Sequence, residues 1–298
     1  MPLSLRSRFW RFFLRITIKE RHLTFTDHRA RAARNSGYAD RVPKGVKVER
    51  IDIDDIRAAW IRPSMEESKK IILHFHGGGY ATGSINSHLM MCAPMAQTLK
   101  MNILLPEYRL APEHPFPAAL EDAQKVYCWL IAQGHKSSDI VISGDSAGGG
   151  LGVATVLTLR DANEPLPAAV VCLSPWVDLT NKGGSHITNA NSEAVFKTKA
   201  LKEWALFYTE ESNLSNPLVS PVFADFHGFP PLLILAGSEE ILLDDSLALA
   251  EKARADGVAV TLRIWDRMWH DWTALGDLIP ESRQAFEEVR AFVKEYIE

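Results

Sequence analysis

The residues of this chain whose types and spacing can do chemistry begin with one serine. Residues 141–150 read VISGDSAGGG, and Ser146 sits in a G-x-S-x-G frame between Gly144 and Gly148. In a nucleophile elbow the serine occupies a strained strand-to-helix turn, and glycines two residues before and after make room for the bend. A hydroxyl is a weak nucleophile without an adjacent base. Elbow enzymes order their partners as serine, then acid, then histidine. Three histidines follow Ser146. His186 in NKGGSHITNAN and His227 in FADFHGFPP read as surface histidines. His270 in RIWDRMWHDW lies just past the last apolar run, where a loop can return over the elbow, and it is the expected general base.

The acid must hold the imidazole tautomer and balance the imidazolium. It is expected after the run PLLILAG, where GSEEILLDDS offers Glu239, Glu240, Asp244 and Asp245. Asp244 and Asp245 open a helix, where acids also favour the dipole. Glu239 and Glu240 lie in the loop, nearer the end of the run. Asp271 is set aside, because sequence neighbours rarely point at each other's rings. Donors for an oxyanion are expected from HFHGGGY, whose bare backbone allows close approach, and from the N–H of Ala147. His76 reads as a histidine that fixes this glycine loop.

The elements that must position these groups follow from periodicity. VKVERIDI (46–53) and IRAAWIRP (56–63) alternate around Asp54 and Asp55, which predicts an antiparallel hairpin. Short apolar runs then alternate with helical stretches: KIILHFH, NILLPEY, DIVISGD, AAVVCLS, PLLILAG and VAVTLRIW. That alternation predicts an α/β protein with a parallel sheet covered on both faces. Ligands of such sheets bind at the carboxyl ends of the strands. Each chemically interesting segment directly follows one of these runs.

Composition bounds the reading. The chain has 298 residues, with 46% hydrophobic and 23% charged, as expected of a globular protein. The net charge of -4 gives no reason to expect a nucleic-acid partner. The charge is nevertheless uneven: residues 1–50 carry a net +9 and the remainder -13. Cys92, Cys128 and Cys172 show neither disulfide nor metal spacing and read as buried small hydrophobes; a cytoplasmic, reducing location fits. No segment is long and apolar enough for stable membrane insertion. Phe9, Phe12, Phe13 and Ile16 recur at helical spacing among arginines. This is an amphipathic basic helix, expected to pack on the domain, with a membrane-surface anchor as the alternative.

HGGGY, YRLAPEHPFPAALED, GDSAGG, SPWVDLT and the acid and histidine segments resemble, in order, the bacterial hormone-sensitive-lipase-like esterases of the α/β-hydrolase superfamily. The resemblance runs from about residue 50 to the end. It implies an α/β-hydrolase fold: an eight-stranded, mostly parallel sheet flanked by helices, forming a catalytic domain over residues 46–298. It implies a small N-terminal helical cap over residues 1–45. It also implies hydrolysis of short-chain carboxylic esters as small-molecule substrates, with no cofactor and no metal. Its nucleophile falls on Ser146 and its histidine on His270. Its oxyanion pattern falls on Gly78, Gly79 and Ala147, with Gly77 at the turn. The family often reads D-P-L-x-D at the acid, whereas this chain has EILLD, which makes Glu240 the implied acid, with Glu239 and Asp244 behind. The family's usual H-G-F is HDW here, and Trp269 and Trp272 are expected to add bulk near the acyl or alcohol pocket. Tyr108, Arg109 and Glu113 are expected to tie down the proline-rich loop. An amidase or arylformamidase on the same machinery, a long-chain lipase and a receptor on a hydrolase scaffold are the alternatives. A homodimer through the edge strand VAVTLRIW is expected.

Overall fold

The computed structural model describes residues 3–19, 26–27, 29–30, 42–64 and 68–297. The first hairpin forms as predicted, although β2 is buried on both faces over Ala58–Ile61. Strands β1 (Val46–Ile53) and β2 (Ile56–Pro63) pair antiparallel around Asp54 and Asp55. The buried runs follow as β3 (Ile71–Phe75), β4 (Asn102–Pro106), β5 (Ile140–Asp145), β6 (Ala169–Leu173), β7 (Leu232–Gly237) and β8 (Val260–Trp265). They form one eight-stranded sheet in the order β1-β2-β4-β3-β5-β6-β7-β8. From β4 to β8 every pairing is parallel.

Helices cover both faces, because successive residues of a strand point to opposite sides. Leu73, Ile142, Val170 and Ile234 pack on one side with α3 (Ala118–Ala132), α4 (Ala147–Asp161) and α7 (Leu243–Ala255). Ile72, Val141, Val171 and Leu233 pack on the other with α2 (Ile85–Leu99) and α8 (Pro280–Tyr296). The short α5 (Ser185–Thr188) and α6 (Thr198–Tyr208) lie between β6 and β7. The strand order reverses between β3 and β5, where chain direction opens a crevice at the carboxyl edge. The loops after these two strands hold the glycines 77–79 and Ser146.

Helix α1 (Leu5–Thr17) is capped by Ser4, whose hydroxyl accepts from the N–H of Ser7 at 3.1 Å. Both serines then bond to Glu281 in the first turn of α8, Ser7 Oγ at 2.6 Å. Much of the rest of the expected cap, including residues 20–25 and 31–41, lies outside the described residues. Two sequence expectations fail in the fold. Cys128 is exposed on the outer side of α3, while Cys92 and Cys172 are buried. His186 is buried rather than on the surface, with Nδ1 3.3 Å from Thr198 Oγ1.

Candidate active site

The elbow is a packing solution before it is a chemical one. A Cβ on Gly144 would stand 2.2 Å from the carbonyl oxygen of Gly148. A Cβ on Gly148 would stand 2.0 Å from that of Phe75. Only glycine lets strand β5, helix α4 and strand β3 approach this closely. The turn between them holds Ser146 at φ 52°, ψ -121°, a region that strains any residue with a side chain. The strain is held by tertiary bonds. Ser146 N donates to Leu173 O at 2.9 Å, and its carbonyl accepts from Trp176 N at 2.9 Å.

The serine, the last histidine and one acid meet, although 124 residues separate the first two. His270 Nε2 lies 3.0 Å from Ser146 Oγ, and Nδ1 lies 3.0 Å from Glu240 Oε2. The second oxygen of Glu240 accepts from Gly237 N at 2.7 Å, which fixes the carboxylate plane. All three side chains are buried. The rival acids are engaged elsewhere. Glu239 pairs with Arg11 of α1. Asp244 accepts from Ser185 N at 2.9 Å. Asp245 accepts from the N–H groups of Val177 and Asp178 and so braces the SPWVDLT loop. Burial pushes the Asp245 carboxyl well above its ordinary range. His227 stays on the surface, paired with Asp225.

Asp271 corrects the adjacency argument. Its backbone is left-handed, at φ 55° and ψ 37°, and this swings the carboxylate back to 3.5 Å from His270 Nε2. Burial lifts the Asp271 carboxyl well above its ordinary range, and Asp145 beside it adds to the lift. Burial also disfavours the His270 imidazolium, but Asp271, Glu240 and Glu193 outweigh it, so the net shift is upward.

Glu193 is a residue that pattern reading missed. It is fully buried, and among the described residues its carboxylate takes its hydrogen bonds from backbone groups. Oε1 accepts from Ala194 and Val195, and Oε2 from Ile241 at 3.3 Å and His270 at 3.2 Å. It therefore pins the acid loop and the histidine loop to each other. Burial raises its carboxyl despite the neighbouring His270 and N–H groups. The carbonyls of Glu193 and Ala190 in turn accept from the buried ammonium of Lys19, each at 2.7 Å.

Beneath the glycine loop sits a second buried ionic group. Asp145 accepts from His74 Nε2 at 3.0 Å, His88 Nε2 at 3.3 Å and Gly77 N at 3.0 Å. Burial works against its ionisation, but the two imidazoles prevail and hold it below the usual carboxylate range. His76 fixes the loop as expected. Its Nδ1 lies 2.8 Å from Gly77 O, and its ring stacks on Tyr108 at 4.2 Å. Burial brings its pKa down to about 3, so it is neutral. Tyr108 donates to His76 O, Arg109 to Asp122, and Arg29 to Glu113, so the proline-rich loop is tied down as predicted. Gly77 N is thus consumed in structure. The N–H groups of Gly78, Gly79 and Ala147 donate no hydrogen bond among the described residues.

The tryptophans of the histidine segment do not line this site. Trp269 and Trp272 are fully buried with Met91, Cys92 and Phe286 between the sheet and helices α2 and α8. Other aromatics stand near the reacting groups instead. The Phe196 ring lies 5.5 Å from that of His270 and edge-on to Trp204. Trp204 fills the space a Cβ on Gly79 would need. Asp225, His227 and Asp256 are near enough to one another to hold an ion. Asp225 and His227 are exposed, however, and Asp256 is already engaged by Lys252 and by the N–H of Phe226.

The sheet order, the elbow and the polar row ending in Ser146 define a hydrolase of the α/β class. A family model described as the alpha/beta hydrolase fold matches residues 72–274. A protein named "Acetyl-hydrolase" from Streptomyces hygroscopicus is 41% identical over 244 residues, 82% of this chain and 81% of that one. A crystal structure of an esterase from the bacterial hormone-sensitive lipase family is 37% identical, covers 100% of both chains and superposes with a TM-score of 0.92. A structure of EstE5 soaked with p-nitrophenyl butyrate is 38% identical, with a TM-score of 0.92 over 98% of this chain and 99% of the other. The chain belongs to the hormone-sensitive-lipase-like esterases of the α/β-hydrolase family.

Proposed function

We propose that this chain is a serine carboxylesterase for short-chain esters, acting through Ser146, His270 and Glu240. The observation that carries the reading is the unbroken row Ser146 Oγ, His270, Glu240, with both contacts at 3.0 Å. His270 Nε2 takes the hydroxyl proton as Oγ attacks the ester carbonyl. The N–H groups of Gly78, Gly79 and Ala147 receive the developing oxyanion; that they have no other acceptor among the described residues supports this role. His270 then protonates the leaving alcohol, and an acyl-enzyme remains on Ser146. Water gives its proton to the same nitrogen and attacks the acyl carbon; the acyl–Oγ bond then breaks, His270 returns the proton to Ser146 Oγ, and the acid leaves. Glu240 holds Nδ1–H throughout and balances the imidazolium.

Phe196 and Trp204 favour a confined acyl site, and the p-nitrophenyl butyrate soak of a relative favours an ester of that size. Residues 1–45 act as a cap segment, held on the catalytic domain of residues 46–298 by Arg11 and Lys19. Strand β8 ends the sheet, and its open backbone edge supports a homodimer, which light scattering of the purified chain checks. A cytoplasmic location fits the two buried, unpaired cysteines, and no helix among the described residues is long and apolar enough to cross a membrane. Hydrolysis of p-nitrophenyl butyrate by wild type and Ser146→Ala tests the central claim. The variant is expected to lose about 10⁴-fold or more in kcat. Equal turnover by both proteins refutes the assignment.

A further inference from the structure

Helix α1 has two apolar faces, and only one is used among the described residues. Trp10 and Leu14, with Leu3 just ahead of the helix, pack against the core formed with α8. Ser7 is buried on the same side against Glu281. The other face consists of Leu5, Phe9, Phe12, Phe13 and Ile16. Their spacing is that of a single stripe along a helix. All five are between 40% and 81% exposed, against the expectation that this stripe packs on the domain. Phe9 and Phe13 stack along it, with ring centres 6.1 Å apart. Contiguous apolar surface of this kind marks a contact site rather than ordinary scatter.

The charges around the stripe identify the partner. At 100° per residue, Arg6 falls along one flank, and Arg8 and Arg15 along the other. All three are exposed, and the helix contains no acidic residue. The uneven charge along the chain repeats this pattern, net +9 in residues 1–50 against -13 in the rest. A second copy of the helix laid on the stripe would bring arginine flank to arginine flank, and the helix itself carries no acid to separate them. An anionic lipid surface accepts the ring edges and neutralises both flanks at once. Thirteen residues make a helix about 20 Å long, too short to span a bilayer. The inner side of the same segment meanwhile binds protein through Arg11 to Ser192 O and Glu239, and through Lys19 to the 190–193 loop. We infer that the outer face of α1 docks on membranes containing anionic lipid and lies in the plane of the interface.

Co-sedimentation of the full chain with vesicles tests this. Wild type is expected to pellet with phosphatidylcholine–phosphatidylglycerol vesicles, weakly with phosphatidylcholine alone, and less as salt rises. Phe9→Ser/Phe12→Ser should lower partitioning at least about tenfold. Arg6→Gln/Arg8→Gln should lower it about fivefold per arginine at low salt. Both variants should hydrolyse soluble p-nitrophenyl butyrate at the wild-type rate, which reports intact folding. Wild type that stays in the supernatant with anionic vesicles overturns the proposal, as do variants that pellet like wild type. A wild-type dimer that Phe9→Ser/Phe12→Ser converts to monomer in light scattering also overturns it, by giving the stripe to a second copy.

Discussion

Replacing Asp271 by asparagine should let the enzyme work at lower pH. The general base must be the free imidazole, so activity is present above the pKa of His270 and is lost as pH falls through it. An ionised Asp271 favours the imidazolium and therefore raises that pKa. At the observed 3.5 Å, one full charge at an effective dielectric of about 20 stabilises the imidazolium by about 5 kcal/mol. With about 1.4 kcal/mol per pH unit, the ceiling on the shift is about three units. Asp271 does not carry a full charge over this range, because burial and Asp145 both favour its protonated form. The expected fall in the acidic limb of kcat/KM is accordingly about one to two units. Asparagine tolerates left-handed backbone, so the turn at residue 271 survives, as does its N–H bond to Ser174 Oγ. Glu240, Glu193 and the Asp145–His74–His88 group also face the site; of these, Asp145 interacts directly with residue 271 and loses a neighbouring carboxyl in the variant. The assay is kcat/KM for p-nitrophenyl butyrate from about pH 5 to 9, with thermal unfolding recorded at each end to separate titration from acid unfolding. An acidic limb that stays in place, or moves to higher pH, refutes the electrostatic reasoning.

Three further outcomes follow from the same geometry. Glu240→Ala should cost about 10³–10⁴ in kcat with a small change in KM, because it frees the ring without touching the substrate walls; steady-state kinetics decides this. Glu193→Ala orphans buried N–H groups on three segments and should cost about 3 kcal/mol or more. In a chain of this size that appears as a loss of about 5 °C or more in Tm, with a fall in kcat larger than any change in KM. Gly148→Ala drives a methyl into Phe75 O and should abolish soluble expression, whereas Ser146→Ala should leave Tm within a few degrees of wild type.

Much of this site is written locally in the chain, and some of it is not. The hairpin at residues 46–63 is legible because two apolar-rich runs flank the turn residues Asp54 and Asp55. The elbow is legible because its glycines mark a close approach of backbone. The meeting of His270 with Glu240 is legible because strand ends of a parallel sheet share one rim. Asp271 is misread because the adjacency rule assumes right-handed or extended backbone, and residue 271 adopts neither. Glu193 carries no local signal at all, since its partners are N–H groups of distant loops and every residue type supplies one. Trp269 and Trp272 fail because they flank His270 in sequence but are buried in the layer under α2 and α8, while the histidine between them reaches the rim. Phe196 and Trp204, the aromatics beside the reacting groups, come from the polar stretch between β6 and β7, where periodicity carries little information.

The contacts made by Gly144 and Gly148 separate two kinds of inheritance. Both glycines answer to neighbouring carbonyl oxygens, and neither touches the reacting atoms. A lineage that abandoned catalysis would stay under pressure to keep them while its serine drifted. In comparisons across such lineages, the glycine pair records descent of the scaffold, and the hydroxyl between them records whether turnover is still under selection.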